Sequence, residues 1–441
     1  IAVLGFCLCI HAWRVLSREA IWLEEAAPLV STAAQISDGA WFRKDPAQAA
    51  VTPKSVLLTN DAFSCELFTT DIEDTNPCCS HRQNGLRTLL YSGYPAQNLF
   101  STAGLNFEHI LSGRKADWSR SEFAPRKEPC ALDVASQSAA TLFWPSHSST
   151  WNADSQMDFS LAEDGCIDFR FRTHFAQDPG VDYLLYMWAN YMRCARSPDI
   201  HFYGVKDLYH VVPGFATGNL GWVSLTTTPE RMKRGERSVV SFLGTPQLST
   251  EEDVPDLNFG ESTQYAFLLP LFLGIADGDG SLSTTNDDMA FIMMFDDAEP
   301  LRFATWDFSS GEHRPVWDWQ YVIRDPKPGN TYGYRGRLVY KPYVGLDDAV
   351  SDYVRWGKSL EGPRCRLKIE VVPPESADVF PSETTGEYAS GVRVYFGVNP
   401  SKGWKFHHWQ GNVEYPNRRF TSTKISGDET VRAICRRRWK M

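Results

Sequence analysis

Cys166-Ile-Asp-Phe-Arg-Phe-Arg172 alternates apolar and polar residues almost without a break, and Tyr183-Leu-Leu-Tyr-Met-Trp-Ala-Asn-Tyr-Met192 follows shortly after it. The first run puts Ile167, Phe169 and Phe171 on one face, which is the period of a half-buried strand. The second run carries few polar atoms, which predicts a strand at the centre of a sheet, covered on both faces. Similar short runs extend outward in both directions. Upstream they lie at 55–58, 62–69, 87–91, 105–110, 132–135, 140–144 and 156–161. Downstream they lie at 200–203, 222–227, 239–243, 265–274, 290–295, 301–308, 317–323 and 332–343. Turn residues such as Asn60-Asp61 and Asn84-Gly85 separate them. Many short strands at this spacing predict an all-β protein built on a large antiparallel β-sandwich. Helical patterning returns only at 346–356, where Asp347 and Asp348 charge the first turn favourably.

The chain has 441 residues, a net charge of −10 and 13% aromatic residues. That length supports two or three domains, and the aromatic content suits packed sheets. An acidic chain is a poor general partner for nucleic acid. The sequence holds no Walker loop, no GxGxxG, no HExxH and no GxSxG, so the common nucleotide, zinc-protease and serine-hydrolase chemistries lose their usual support. Residues 1–34 open on an apolar run of signal-peptide character that is too short to span a bilayer. Residues 35–54 form a linker, 55–357 the sandwich, and 363–436 a small β-grasp-like domain behind the break at Glu361-Gly362-Pro363. No later stretch would hold the mature chain in a membrane. None of the ten cysteines forms a CxxC pair. Cys365 and Cys435 bracket the last domain and would form one disulfide in an oxidising compartment; the alternative is buried free thiols.

Two resemblances add to this reading. The tail resembles a divergent internalin-type B-repeat, a β-grasp-like module of bacterial surface and secreted proteins. It does so through Leu367-Lys-Ile-Glu-Val-Val-Pro-Pro374, Gly386-Glu-Tyr-Ala-Ser-Gly-Val392 and Gly403-Trp-Lys-Phe-His-His-Trp-Gln-Gly411. That resemblance implies extracellular placement, with adhesion or spacing as the module's role. Residues 90–357 resemble an uncharacterised family of secreted planctomycete-type proteins. The residues that carry this are Gly104-Leu-Asn-Phe-Glu-His-Ile110, Phe123-Ala-Pro-Arg126, Met187-Trp-Ala-Asn-Tyr-Met192, Met293-Met-Phe-Asp296, Trp317-Asp-Trp-Gln-Tyr-Val-Ile323 and Tyr332-Gly-Tyr-Arg-Gly-Arg-Leu-Val-Tyr340. The layout is similar to galactose-mutarotase-like supersandwiches, which occur in glycoside hydrolases, polysaccharide lyases and sugar epimerases. The link is an analogy of fold.

Sugar chemistry needs two carboxyl groups, or an acid and a base with cationic and amide groups to orient the substrate. The sequence offers Glu108, Asp318 and His313 as the catalytic set. Asn106, Arg126, Asn190, Tyr191 and Gln320 would bind substrate, and Trp188 and Trp319 would stack on it. Alternation puts Leu105, Phe107 and His109 on one strand face and Asn106 and Glu108 on the other. On that reading Glu108 and His109 serve different faces, and His109 packs in the core. Asp277-Gly-Asp279-Gly-Ser281 with Asn286-Asp287-Asp288 is acidic enough for calcium but fails the EF-hand pattern, because Leu282 stands at its sixth position and Asp288 at its twelfth. No cofactor is expected beyond that structural calcium, which stays open. The expectation is a secreted carbohydrate-active protein, a polysaccharide hydrolase or lyase whose partner is a poly- or oligosaccharide. The alternative is a non-catalytic glycan-binding or cell-surface protein.

Overall fold

A computed structural model of the protein describes residues 53–69, 84–112, 124–162, 165–205, 220–226, 230, 239–243, 245, 265–281, 287–307 and 314–438. The leader-like segment 1–34, nearly all of the linker 35–54, and His313 and Asn286 lie outside them. The described chain is nearly all β and divides into two compact units, with the second taking the chain from Val350 onward.

The first unit carries nineteen strands. In chain order they are β1 (Ser55–Thr59), β2 (Phe63–Phe68), β3 (Gly85–Tyr91), β4 (Tyr94–Asn98), β5 (Phe100–Leu111), β6 (Ala131–Ser136), β7 (Ala139–Trp144), β8 (Ala153–Ala162), β9 (Cys166–Phe175), β10 (Tyr183–Met192), β11 (Ile200–Val205), β12 (Leu220–Leu225), β13 (Val239–Ser241), β14 (Ala266–Phe267), β15 (Leu271–Asp277), β16 (Asp288–Phe295), β17 (Leu301–Trp306), β18 (Val316–Arg324) and β19 (Thr331–Pro342). The first sheet runs β1-β2-β3-β5-β10-β18-β17-β13, with β4 beside β3. The second runs β12-β11-β15-β16-β19-β9-β8-β7-β6, with β14 beside β11. The paired strands within each sheet are antiparallel.

The core between the sheets is aromatic. Register sets Trp188 of β10 beside Phe107 of β5 and Trp319 of β18. The three rings stack in a row, with centroids 4.9 and 5.8 Å apart and planes within 5°. Trp144 and Phe171 of the second sheet meet Trp188 edge-on at 6.0 Å. Such offset and edge contacts add to what burial alone supplies. Trp188 and Trp319 are fully buried, and the Trp319 indole donates to the Tyr334 hydroxyl at 2.7 Å. Neither ring has a free face for a sugar. The expectation of stacking platforms at Trp188 and Trp319 is therefore corrected: both belong to the core. Asn190 shares their face, is fully buried, and donates to the Trp317 carbonyl at 2.5 Å. It knits β10 to β18 from the core face, and its Oδ1 is buried without a hydrogen-bond partner among the described residues.

Helix α1 (Ala124–Lys127) packs on β5, and helix α2 (Leu346–Ser359) follows β19. No helix among the described residues is long and apolar enough to cross a membrane.

The second unit holds β20 (Arg364–Val372), β21 (Ala377–Phe380), β22 (Thr385–Ala389), β23 (Arg393–Pro400), β24 (Trp404–Gln410), β25 (Phe420–Lys424) and β26 (Glu429–Arg437). A mixed sheet β22-β20-β26-β24, with β20 and β26 parallel at its centre, is joined by a three-stranded sheet β21-β23-β25. Phe396, Phe406 and Trp409 lie in their common core. The parallel register also decides the cysteine question. Leu367 lies opposite Glu429 and Val372 opposite Ile434, so Cys365 and Cys435 sit near opposite ends of the pair. At about 3.3 Å per residue they are some 25 Å apart along the strands, far beyond the reach of a disulfide. Both are free thiols, which corrects the expected bridge.

Candidate active site

The face of the first sheet turned away from the aromatic core carries the candidate residues. Asn106, Ala189 and Asp318 form one cross-strand row over β5, β10 and β18. All three are fully buried. Leu111, Leu185, Met187 and Val322 form an apolar cluster on one side of this polar belt. Val239, Ala304, Trp306 and Val316 form another on the opposite side, with Tyr191 packed against it.

Glu108 reaches the belt through a β-bulge. Phe107 pairs with Trp188 and His109 pairs with Met187, so Glu108 is an extra residue in β5. A bulge breaks the two-residue alternation and re-aims the side chains beside it. As a result, His109 comes to the Glu108 side of the sheet, with its Nε2 3.9 Å from Glu108 Oε1. The expectation that the two serve opposite faces is corrected by this one residue. Where β5 crosses β3, Gly104 (φ 65°) lies against Leu86 and Gly85 (φ 106°) against Leu105, and a Cβ on either would lie 2.1 Å from a backbone oxygen of the other strand. Only glycine fits this close crossing.

Arg126 is delivered by α1. The Pro125 carbonyl accepts from Asn84 Nδ2 at 3.0 Å and from the Trp144 indole at 3.2 Å. Asn84 in turn accepts from the Phe107 amide at 3.0 Å, which ties the helix to the strand that carries Glu108. Arg126 Nε donates to Asn106 Oδ1 at 2.8 Å, and Nη1 lies 3.4 Å from Glu108 Oε1. Its guanidinium also stands 5.6 Å from the centre of the Tyr191 ring. Tyr191 donates its hydroxyl to Glu108 Oε1 at 2.6 Å. Glu108 Oε1 therefore gathers a phenol and a guanidinium, while Oε2 is buried with no hydrogen-bond partner among the described residues.

Asp318 has a different environment. It is fully buried, and neither carboxyl oxygen has a well-formed hydrogen bond among the described residues. Burial, and then the charge of Glu108, holds its carboxyl well above the usual range; the Trp306 indole and the Asn190 amide oppose this only in part. Burial and then the charge of Glu108 likewise push the Tyr191 phenol well above its ordinary value. Gln320 is fully buried on the same face, and neither atom of its amide is satisfied among the described residues. Opposite it on β17 lies Arg302, also buried. His109, Arg302 and Trp306 are the belt residues that sequence reasoning missed. Alternation along β17 held the signal for Arg302, while the bulge hid His109. With Glu108 3% exposed and Arg126 3% exposed, the belt is closed to solvent in this structure.

The acidic group at the end of β15 has its own cation. Arg196 binds Asp277 at 2.8 Å, Asp287 at 2.8 Å and Asp288 at 2.5 Å. The Gly280 amide donates to Asp277 and the Ser281 amide to Asp279, each at 2.7 Å.

No protein-family model matches the chain, and no curated protein matches it. Among solved structures, the chain is similar to a putative aldose 1-epimerase from Escherichia coli K12, with 10% identity, 66% of this chain and 99% of that chain covered, and a TM-score of 0.36. It is also similar to an aldose epimerase homologue from C. elegans, with 8% identity, 66% and 99% coverage, and a TM-score of 0.34. A galactose 1-epimerase from Lactobacillus acidophilus gives 8% identity, 65% and 94% coverage, and a TM-score of 0.31. Superpositions this loose leave the chemistry of the belt to be read from its own residues.

Proposed function

We propose that this chain is a carbohydrate-active enzyme, a polysaccharide hydrolase or lyase, that works by acid–base catalysis from the polar belt of the first sheet. One observation carries the reading. Two carboxyl groups share a buried face, and their surroundings treat them differently. Glu108 is held by a phenol and a guanidinium, whereas burial and the charge of Glu108 favour the neutral form of Asp318. Carboxyl pairs set apart by environment in this way divide the roles of base and acid. Asp318 would give a proton to the leaving oxygen and Glu108 would take one, from water in hydrolysis or from a sugar carbon in elimination. Arg126, Asn106 and Gln320 would orient the sugar, and Arg126 would also hold a uronate carboxylate. Buried polar atoms without partners cost stability, so the open valences of Asp318, Gln320 and Glu108 Oε2 suit a site completed by substrate. Turnover requires the buried belt to become accessible to substrate.

The reading places the protein outside the cell, on the strength of the apolar opening run and the B-repeat resemblance. The test is a product screen on neutral and uronate-containing polysaccharides. It would read new reducing ends and the ultraviolet absorbance of unsaturated uronates. Activity that disappears in a folded Glu108→Gln variant supports the assignment, and full activity in that variant removes it. Silence across a broad panel would favour glycan binding without catalysis. That second reading has lost the two rings, Trp188 and Trp319, on which it was built.

A further inference from the structure

The outward face of the second sheet carries a charged group that the proposed chemistry does not use. Asp168, Arg170 and Arg172 occupy alternate positions on β9, and Arg335 and Arg337 do so on β19. Their inward neighbours Phe169, Phe171 and Tyr334 are core residues. Register sets Arg335 directly opposite Arg170 and Arg337 opposite Asp168. On the other side of β9, Asp158 of β8 lies opposite Arg170.

Three of these arginines hold a carboxylate. Arg172 Nη2 binds Asp158 Oδ2 at 2.9 Å. Arg337 takes Asp168 with both Nε and Nη2, at 2.7 and 2.8 Å. Arg335 Nε binds Asp296 Oδ2 at 2.9 Å. Arg170 is the fourth, and it has no carboxylate of its own among the described residues. Its Nε is buried without a hydrogen-bond partner there. Asp158 and Asp296 lend it part of their field, but each is bound by another guanidinium. Arg170 thus faces Arg335 on β19 and Asp158 on β8, with Arg172 two residues along its own strand; like charges directly opposite, as Arg170 and Arg335 are, destabilise a strand pair. The face is unevenly exposed around it, with side-chain exposures of 38% at Arg335 and 42% at Asp168 but 9% at Arg172 and 14% at Arg337.

We propose that Arg170, flanked by Arg172 and Arg335, is an anion site that takes a sulfate or carboxylate group of an acidic polysaccharide chain laid along the outer face of the second sheet. A guanidinium offers a planar fork that binds such groups through paired hydrogen bonds. The site is reached at its Arg335 and Asp168 side, on the outward face of a sheet, which suits an extended polymer better than an enclosed small molecule. The choice of a glycan over other polyanions rests on the function proposed above; the anion site itself does not. The net charge of −10 argues against nucleic acid.

The test is titration calorimetry of the intact protein at low salt. The probes are a sulfated oligosaccharide, an oligogalacturonate, a neutral glucan of equal length, single-stranded DNA and inorganic sulfate. Binding of either acidic oligosaccharide, weakened tenfold or more in Arg170→Gln and unchanged in Lys424→Gln, a change at an exposed residue of the second unit, supports the proposal, and the probe preferred names the anion. If Arg170→Gln fails to fold, Arg335→Gln provides the same comparison. Equal binding by wild type and folded variant overturns the site. Equal affinity for DNA, or binding of inorganic sulfate alone, overturns the polysaccharide assignment. Anion binding that persists while the product screen stays silent would sink the catalytic reading and leave this one standing.

Discussion

Tyr191 of β10 donates its phenolic hydroxyl to Glu108 of β5 across a strand pair, at 2.6 Å, and the bulge at Glu108 is what brings the carboxylate within reach. The hydroxyl keeps its proton at any working pH, because burial and the neighbouring charge push the phenol up. Tyr191→Phe keeps the ring beside Arg126 and removes only the donor. Glu108 Oε2 already lacks a partner among the described residues, so the variant leaves a buried carboxylate held mainly by Arg126. The expected loss is about 1–3 kcal/mol of unfolding free energy. Denaturant unfolding measures it, and a variant as stable as wild type would show that the bond contributes nothing net. On the proposed function, turnover falls as well.

Asp318 gives a pH signature. Its carboxyl keeps a proton in the folded state to a higher pH than in the unfolded chain, where the value is about 3.9. The folded state therefore binds more protons across that interval, and stability declines as pH rises through it before levelling off. Asp318→Asn removes the ionisable group at nearly constant shape. Melting temperatures of variant and wild type should be closest at acid pH, and the variant should gain on wild type toward neutrality. A gap that does not change with pH would refute the burial argument. Turnover should move the opposite way, since the amide has no acidic proton to give.

The strands were legible in the sequence because their alternation is set locally. The runs at 166–172 and 183–192 became β9 and β10 almost to their ends. Site residues were partly legible for the same reason: Asn106, Arg126, Tyr191, Asp318 and Gln320 share the belt with Glu108. Trp188, Trp319 and Asn190 were misplaced because alternation names two faces without saying which one meets the second sheet. His109 was misplaced because a single unpaired residue inverts the count, and nothing in Phe107-Glu108-His109 announces a bulge. The Cys365–Cys435 bridge failed because it depended on a register between β20 and β26 that composition does not encode.

That register makes its own prediction. Cys365 is partly exposed, whereas Cys435 is buried and burial raises its thiol above the ordinary value. Without reductant, Cys365 should be alkylated readily and Cys435 only slowly or after unfolding. Peptide mapping by mass spectrometry reads both, and a peptide pair cross-linked through Cys365 and Cys435 would overturn the register.

The two faces of the first sheet are coupled through β18, and Gly274 tests how tightly. Trp317 is fully buried, its indole donates to the Pro198 carbonyl at 3.2 Å, and its own carbonyl accepts from Asn190. Its ring lies against Gly274 of β15, where an added Cβ would stand 2.3 to 2.6 Å from three ring atoms. The backbone there does not need glycine, so any cost of Gly274→Ala comes from crowding a buried ring already held by the Pro198 carbonyl. Such overpacking costs about 1–3 kcal/mol. The expected outcome is a lower denaturant midpoint with an unchanged slope. Trp317 precedes Asp318 in β18, so a ring that yields by moving its strand would also displace the acid on the other face. Loss of turnover at temperatures well below unfolding would reveal that coupling. Turnover retained alongside the stability loss would mean that the strain is absorbed within the aromatic core.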